Sequence, residues 1–280
     1  MKVALCYTGF ATHFDEVIEN HNGHIFAHNS CDVFVSTTNV FSQRYPNLKF
    51  KGKGKHYTYL KPREKWRKHD KAAYGIVYDA NEEQLTNMLE KNLGDKLKGF
   101  FIKREDAKVL STSYEDTKWQ WLLNNQMFKI NKAWDLVTSY EKVNNVKYDV
   151  IVNIRMDVLL KNDIKLNDPY GEIMNDTVYA FGGWNNARFM DVYLFGGFLY
   201  GSRDSMSVYY EMYNELKKPY EPKKKYQAFY KKHGDNYEYQ IETHLKKNGI
   251  NIKFINKQPA SKRNKLSCYE LYPEGRKRAK

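Results

Sequence analysis

Tyr148-Asp149-Val150-Ile151-Val152-Asn153-Ile154-Arg155-Met156-Asp157-Val158-Leu159-Leu160 is the stretch around which the rest of the chain organises itself. Residues Tyr148 to Ile154 are short, rich in β-branched side chains and too brief for a core helix, so they predict a buried strand. Arg155 and Asp157 follow at its carboxyl end, ahead of the apolar Val158-Leu159-Leu160. In an open α/β sheet the carboxyl ends of the strands are where ligands bind. A carboxylate two residues from a guanidinium suits a diphosphate there, held through a metal or by the arginine directly. A plain strand-end salt bridge accounts for the same Arg-x-Asp pair.

Upstream, Val3 to Tyr7 and Cys31 to Thr37 are two further apolar strand-length runs, with a helix expected from about Phe14 to Glu19 between them. From Gln43 to Asp79 the chain is basic, aromatic and punctuated by glycine, without clean periodicity, and is expected to be a loop or small subdomain over the site. Asn81, with Gln84 three residues on, starts a helix that stops near Gly94. Lys98 to Ile102 reads as a strand. Between about Glu115 and Glu141 the residues Trp119, Leu122, Leu123, Met127, Ile130, Trp134, Val137 and Tyr140 recur every three or four positions, the spacing of a core-facing helix. Downstream come strands at Val178 to Phe181, Val192 to Tyr200 and Ile250 to Ile255. Helices follow Ser202 and start at Asp235 or Asn236. Strands alternating with helices predict an α/β fold with a mostly parallel sheet flanked by helices. The expected organisation is one domain over residues 1–255 and a basic tail over 256–280.

No stretch approaches eighteen uninterrupted apolar residues, so no membrane span is expected. The N-terminal apolar run is only strand-length and has no cleavage-site pattern, so the chain is expected to remain in the cytoplasm where it is made. Cys6, Cys31 and Cys268 have no metal-ligand spacing and fit a reduced compartment. The 46 Lys and Arg against 33 Asp and Glu leave a net charge of +13, clustered at Lys49 to Lys68, Lys217 to Lys232 and the last residues. Such charge attracts polyanions, either a diphosphate-bearing substrate or nucleic acid, and the 23 tyrosines serve sugar rings and bases equally. No Walker-type glycine loop, CxxC or HExxH occurs, which removes the common NTPase and zinc-enzyme classes.

Two further constellations carry chemistry. In Asp191 to Asp204 the paired Gly196-Gly197 inside a strand permit close approach of a ligand or mark a β-bulge, and Asp191 is placed to meet hydroxyls. In Asp235 to Leu245, carboxylates at a helix start are favoured by the helix dipole alone. Glu238 is also placed to take a proton from an attacking hydroxyl. His244 on the same helix reads as a structural histidine more readily than as a ligand.

Together these segments resemble glycosyltransferases of the GT-A type, and more narrowly those encoded by large DNA viruses of algae, the chlorovirus capsid-glycan enzymes among them. The likeness lies in Ala4-Leu5-Cys6-Tyr7-Thr8-Gly9-Phe10-Ala11-Thr12, in Asp32-Val33-Phe34-Val35-Ser36-Thr37-Thr38, in the long helix, and in Tyr148 to Leu160. It runs from residue 1 to about 255. It implies a GT-A-like (Rossmann-like) sheet and a nucleotide-sugar donor across the first strands, next to Thr8 and Gly9. Arg155 and Asp157 would hold the diphosphate, with Asp157 in the place of the final carboxylate of the DXD motif and so a ligand of Mn²⁺ or Mg²⁺. Glu238 stands where the base of inverting enzymes stands, and Asp191 would orient the acceptor or serve as second candidate base. The implied donor is a UDP-sugar, UDP-xylose first, and the implied acceptor a glycan or glycoprotein, the capsid glycan in the host cytoplasm for a viral enzyme. Nucleic acid is not an expected partner, and a nucleic-acid-binding protein is the rival reading. Thr12, Ser36 and Arg155 depart from the family, which often has Arg, His and a carboxylate at those places.

Overall fold

The computed structural model describes residues 1–11, 14–43, 56–60, 74–105, 120–160, 163–166, 173–182, 194–216, 237–255 and 269–271. Its centre is formed by β1 (Val3–Thr8), β2 (Cys31–Thr38) and the later strand Val150–Arg155. β1 lies between the other two in parallel register, Val3 opposite Cys31 and Val150, Thr8 opposite Ser36 and Arg155. Every residue of β1 is buried, as a strand covered on both faces by helices must be.

Numbered in chain order, the further strands are β3 (Val40–Gln43), β4 (His56–Leu60), β5 (Tyr74–Asp79), β6 (Leu97–Lys103), β7 (Val150–Arg155), β8 (Val158–Leu160), β9 (Thr177–Gly182), β10 (Leu194–Ser202), β11 (Asn251–Phe254) and β12 (Tyr269–Leu271). Among the described residues the main sheet has seven strands in the order β11-β9-β10-β7-β1-β2-β6. Only β10 opposes its neighbours; every other adjacent pair is parallel. The fold is therefore α/β with a mostly parallel sheet flanked by helices, as the alternation of elements predicts. In β10 the register against β9 shifts between Leu194 and Leu199, so the Gly196-Gly197 pair falls where the pairing is irregular.

The helices are α1 (Phe14–His21), α2 (Glu82–Leu93), α3 (Gln120–Asn144), α4 (Arg203–Leu216) and α5 (Tyr237–Lys247). Asn81 caps α2 by accepting from the amides of Glu83 and Gln84 at 2.8 and 3.3 Å. Residues paired in parallel register share a face, so Ala4, Cys6, Phe34 and Ile151 look one way. They pack on Met127, Ile130, Ala133, Trp134 and Val137 of α3, with α4 and α5 alongside. The opposite face, carrying Leu5, Val33, Val35 and Val152, packs on Phe14 and Ile18 of α1 and Leu85, Leu89 and Leu93 of α2. Each buried Val, Leu, Ile, Phe or Met of these two faces contributes about 1.5–3 kcal/mol, which is what holds the helices on the sheet. Trp119 of the predicted stripe lies outside the described residues, as do the side chains of Leu122 and Leu123.

Two stretches outside the main sheet also carry strands. The segment from Gln43 to Asp79 contains β4 and β5, which join β3 in a three-stranded antiparallel sheet ordered β3-β5-β4. The basic C-terminal stretch also contributes structure, since β12 pairs antiparallel with β8, Tyr269 opposite Leu160 and Leu271 opposite Val158. Cys268-Tyr269-Glu270-Leu271-Tyr272 is a short, mostly apolar and aromatic run inside a charged stretch.

Candidate functional site at the carboxyl edge of the sheet

The face under α3 is apolar through Ala4, Cys6, Phe34 and Ile151, then turns polar at the strand ends. Thr8, Ser36, Thr38 and Asn153 are buried there, and α3 adds Asn125 and Lys129 above them. Burying polar groups costs free energy unless they are paired, so a buried polar shelf at the ligand-binding edge calls for a chemical use.

Gly9 ends β1 with φ +121, a conformation that L side chains rarely adopt. The turn is fixed on both sides. The Gly9 amide donates to Ser36 O at 3.3 Å, the Thr37 hydroxyl donates to Gly9 O at 2.8 Å, and the Met156 amide donates to Thr8 O at 3.1 Å. Thr8 therefore places the β1 end directly beside the turn that follows β7. Its hydroxyl donates to Asn153 Oδ1 at 3.4 Å and accepts from the Gln126 amide at 3.3 Å.

Arg155 is the last residue of β7, and Met156-Asp157 form the turn into β8. The guanidinium grips Asp157 as a fork, Nε to Oδ1 at 2.9 Å and Nη2 to Oδ2 at 2.5 Å, with the two side chains 22% and 32% exposed. Both thus reach the edge rather than the interior. β8 is pinned from α1: Asn20 exchanges two bonds with the Leu160 backbone, and His21 Nε2 lies 2.9 Å from Val158 O. A carbonyl only accepts, so Nε2 carries the proton and Nδ1 accepts from the Tyr7 hydroxyl at 2.6 Å. Burial pushes the His21 pKa down to about 4, outweighing the Val158 bond that raises it, and keeps the ring neutral.

At the β6 end of the shelf, Glu105 Oε1 accepts from Lys103 at 2.8 Å and from Asn125 at 2.8 Å, while Lys129 Nζ stands 3.9 Å from Oε2. Burial raises the Glu105 pKa, but Lys129, Lys103 and Thr38 outweigh it and hold the carboxyl below its ordinary value. Lys129 is pushed down to about 8 by burial, against the attraction of Glu105. The Phe10 ring centroid lies 4.4 Å from its ammonium.

Of the residues picked from the sequence, Thr8, Gly9, Arg155 and Asp157 are brought together here. Glu238 is the second residue of α5, but its side chain lies outside the description, and Asp191 lies outside the described residues altogether. His244 Nε2 lies 2.8 Å from Val208 O, tying α5 to α4, which is a structural task. Asn153, Gln126, Glu105 and Lys129 escaped the sequence reading. Asn153 did leave a signal, being a lone amide within an apolar strand.

The implied divalent cation meets a poor donor set. Asp157 presents both oxygens to its own guanidinium neighbour, whose positive charge opposes a dication. Among the described residues no three His, Cys, Asp or Glu side chains converge to hold a metal ion. The expected role of Asp157 as a Mn²⁺ or Mg²⁺ ligand therefore does not fit the described arrangement. A cavity of about 480 Å³ between Tyr148, Ile173, Ser202 and Arg203 lies at the opposite, amino end of β7, about 17 Å away along the strand.

No protein-family model and no curated protein matches the chain. Among solved structures, it is similar to the apo form of the glycosyltransferase GlyE of Streptococcus pneumoniae TIGR4, at 10% identity and a TM-score of 0.35, over 90% of this chain and 44% of that one. It is also similar to the galactosyltransferase LgtC in complex with donor and acceptor sugar analogs, at 9% identity and 0.38, over 90% and 73%. An active-site mutant of LgtC gives 9% identity and 0.42, over 90% and 72%. The chain thus spans less than half the length of GlyE. Scores below 0.5 leave these as likenesses only, and the layering and strand directions stand on the geometry above.

Proposed function

We propose that this chain is a glycosyltransferase of the GT-A type, moving one sugar from a nucleotide sugar to a hydroxyl of a glycan. The observation that carries this is the joining of Thr8-Gly9 to the Arg155-Asp157 turn at the carboxyl edge of two adjacent parallel strands. It combines an open backbone turn with a guanidinium–carboxylate fork where α/β sheets take nucleotides. The donor is a UDP-sugar, with UDP-xylose the first candidate, and its nucleotide lies along Thr8 and Gly9. Arg155 supplies N–H donors for diphosphate oxygens, and Asp157 orients the guanidinium. In an inverting displacement the acceptor oxygen bonds to the anomeric carbon as the bond to the diphosphate breaks. The electron pair leaves on the diphosphate, and the hydroxyl proton passes to Glu238, or to Asp191 as second candidate.

Residues 1–255 form the catalytic domain in this reading, with the β3-β5-β4 sheet beside the site and 256–280 a tail that returns to β8. A capsid glycan built in a host cytoplasm is the acceptor the viral resemblance favours. Among the described residues no helix is long and apolar enough to cross a membrane. The net charge of +13 favours nucleic-acid binding as the second reading.

A panel of UDP-, GDP- and ADP-sugars tests the proposal through turnover and thermal stabilisation. A UDP-sugar is expected to stabilise the protein, and Asp157→Ala to remove that stabilisation while leaving ligand-free unfolding within about 1 kcal/mol, the range of a part-exposed ion pair. Silence across the whole panel, with salt-dependent oligonucleotide binding that Asp157→Ala leaves untouched, would overturn it.

A further inference from the structure

Lys129 is a buried charge that the site described above leaves largely unexplained. It is 1% exposed, and its neighbours are Glu105 Oε2 at 3.9 Å and the Phe10 ring centroid at 4.4 Å. An ammonium has three N–H donors, and neither neighbour accepts a hydrogen bond at those distances. Lys129 is not the only cation on Glu105, since Oε1 accepts from Lys103 and Asn125, although Lys129 helps to hold the carboxyl ionised. Nearby on the same face, Ser36 Oγ, Thr38 Oγ1 and Asn153 Nδ2 are buried without a hydrogen bond among the described residues, as is one acceptor, Glu105 Oε2. The Lys129 ammonium and the Asn153 amide nitrogen only donate, the two hydroxyls can donate as well, and donors in search of acceptors match a ligand rich in oxygens.

Position adds to chemistry. Lys129 is one helical turn beyond Gln126, the residue of α3 that donates to Thr8 and stands over Gly9. Phe10, against the ammonium, is the residue that follows Gly9. Four rotatable bonds let Nζ travel several ångströms from Glu105 once an anion arrives. The charge that a dication would ordinarily carry has no ligand set among the described residues.

We propose that Lys129 is the cation that meets the diphosphate of the nucleotide donor, standing in for a metal ion at this edge. The inference rests on the glycosyltransferase reading. As the bond from the anomeric carbon to the diphosphate oxygen breaks, the electron pair stays on that oxygen. Lys129 keeps its protons and donates hydrogen bonds to the departing group.

The test measures the affinity of UDP and of uridine, in buffer containing EDTA, for the full chain, K129M, K129R and the double variant K129M/E105Q. The double variant removes the carboxylate that K129M would leave short of a cation, and serves where K129M fails to fold. UDP is expected to bind the parent chain in EDTA. K129M should weaken it roughly ten- to hundredfold, the effect of losing a hydrogen bond to a charged group, while uridine binds all forms alike and K129R recovers most of the loss. Equal UDP affinity for K129M and parent overturns the role of Lys129 and leaves the glycosyltransferase reading standing. Parallel loss of UDP and uridine marks Lys129 as structural, and UDP binding that vanishes in EDTA returns the task to a metal. Failure of UDP, GDP and ADP alike to bind the parent chain, with or without Mn²⁺, overturns the glycosyltransferase reading itself.

Discussion

Gly9→Ala separates backbone geometry from side-chain contact at the site more cleanly than any other single change. At φ +121 an alanine is strained wherever its methyl goes, but the space is open: the nearest atoms to an added Cβ are Met156 N at 3.9 Å and Gln126 Oε1 at 4.0 Å. No steric clash therefore contributes, and the cost is backbone strain of about 1–3 kcal/mol. If the backbone holds, the unfolding midpoint falls by about 2–4 °C for each of those kcal/mol, the scaling for domains of roughly this size. If it yields instead, the bonds from Gly9 N to Ser36 O and from Thr37 to Gly9 O loosen, and Thr8 moves off the Met156 amide. Either way the donor should bind more weakly, because the β1 end and the Arg155 turn are one hydrogen-bonded unit. Thermal unfolding and UDP titration of the same sample check both limbs. A variant as stable as the parent, binding UDP equally well, would show that the left-handed turn is not required and that the site has been misplaced.

Gly201→Ala should fail for the opposite reason, since an added Cβ would sit 2.6 Å from Ser205 Oγ and 2.8 Å from the backbone oxygen of Thr177; a loss of about 1–3 kcal/mol in urea unfolding is expected. Acidification should destabilise the chain through His21, whose folded pKa of about 4 lies below the unfolded 6.5. The unfolded chain takes up the proton first, so the stabilisation is complete above pH 6.5 and lost as pH falls toward 4. The change is about 3 kcal/mol, and His21→Gln should flatten that part of the pH–stability curve. Glu141 accepts from the Tyr148 amide at 3.0 Å and from Arg203 at 2.8 to 3.1 Å, joining the end of α3 to β7 and α4. Glu141→Ala should cost about 2–3 kcal/mol in denaturant unfolding, and Glu141→Gln less.

The strands Val3–Thr8, Cys31–Thr38 and Val150–Arg155 and the core stripe of α3 were legible in sequence because each is a pattern within one window, set by the two- and 3.6-residue periods of the backbone. The cap at Asn81 was legible for the same reason, since its partners are two and three residues away. That Arg155 and Asp157 stand at a strand end also followed from local order alone.

What tertiary structure decided is which distant pieces meet. Nothing local places β1 beside β7 across more than 140 residues, or β12 beside β8, because pairing depends on which apolar faces cover one another once the chain is compact. Lys129 occupies a position that its own sequence neighbourhood cannot mark as buried; only the packing of α3 over β1 and β6 draws its ammonium out of water and sets it against Phe10 and Glu105. A residue's chemical type is written in the chain, while the dielectric around it and the partners within reach are properties of the packed molecule.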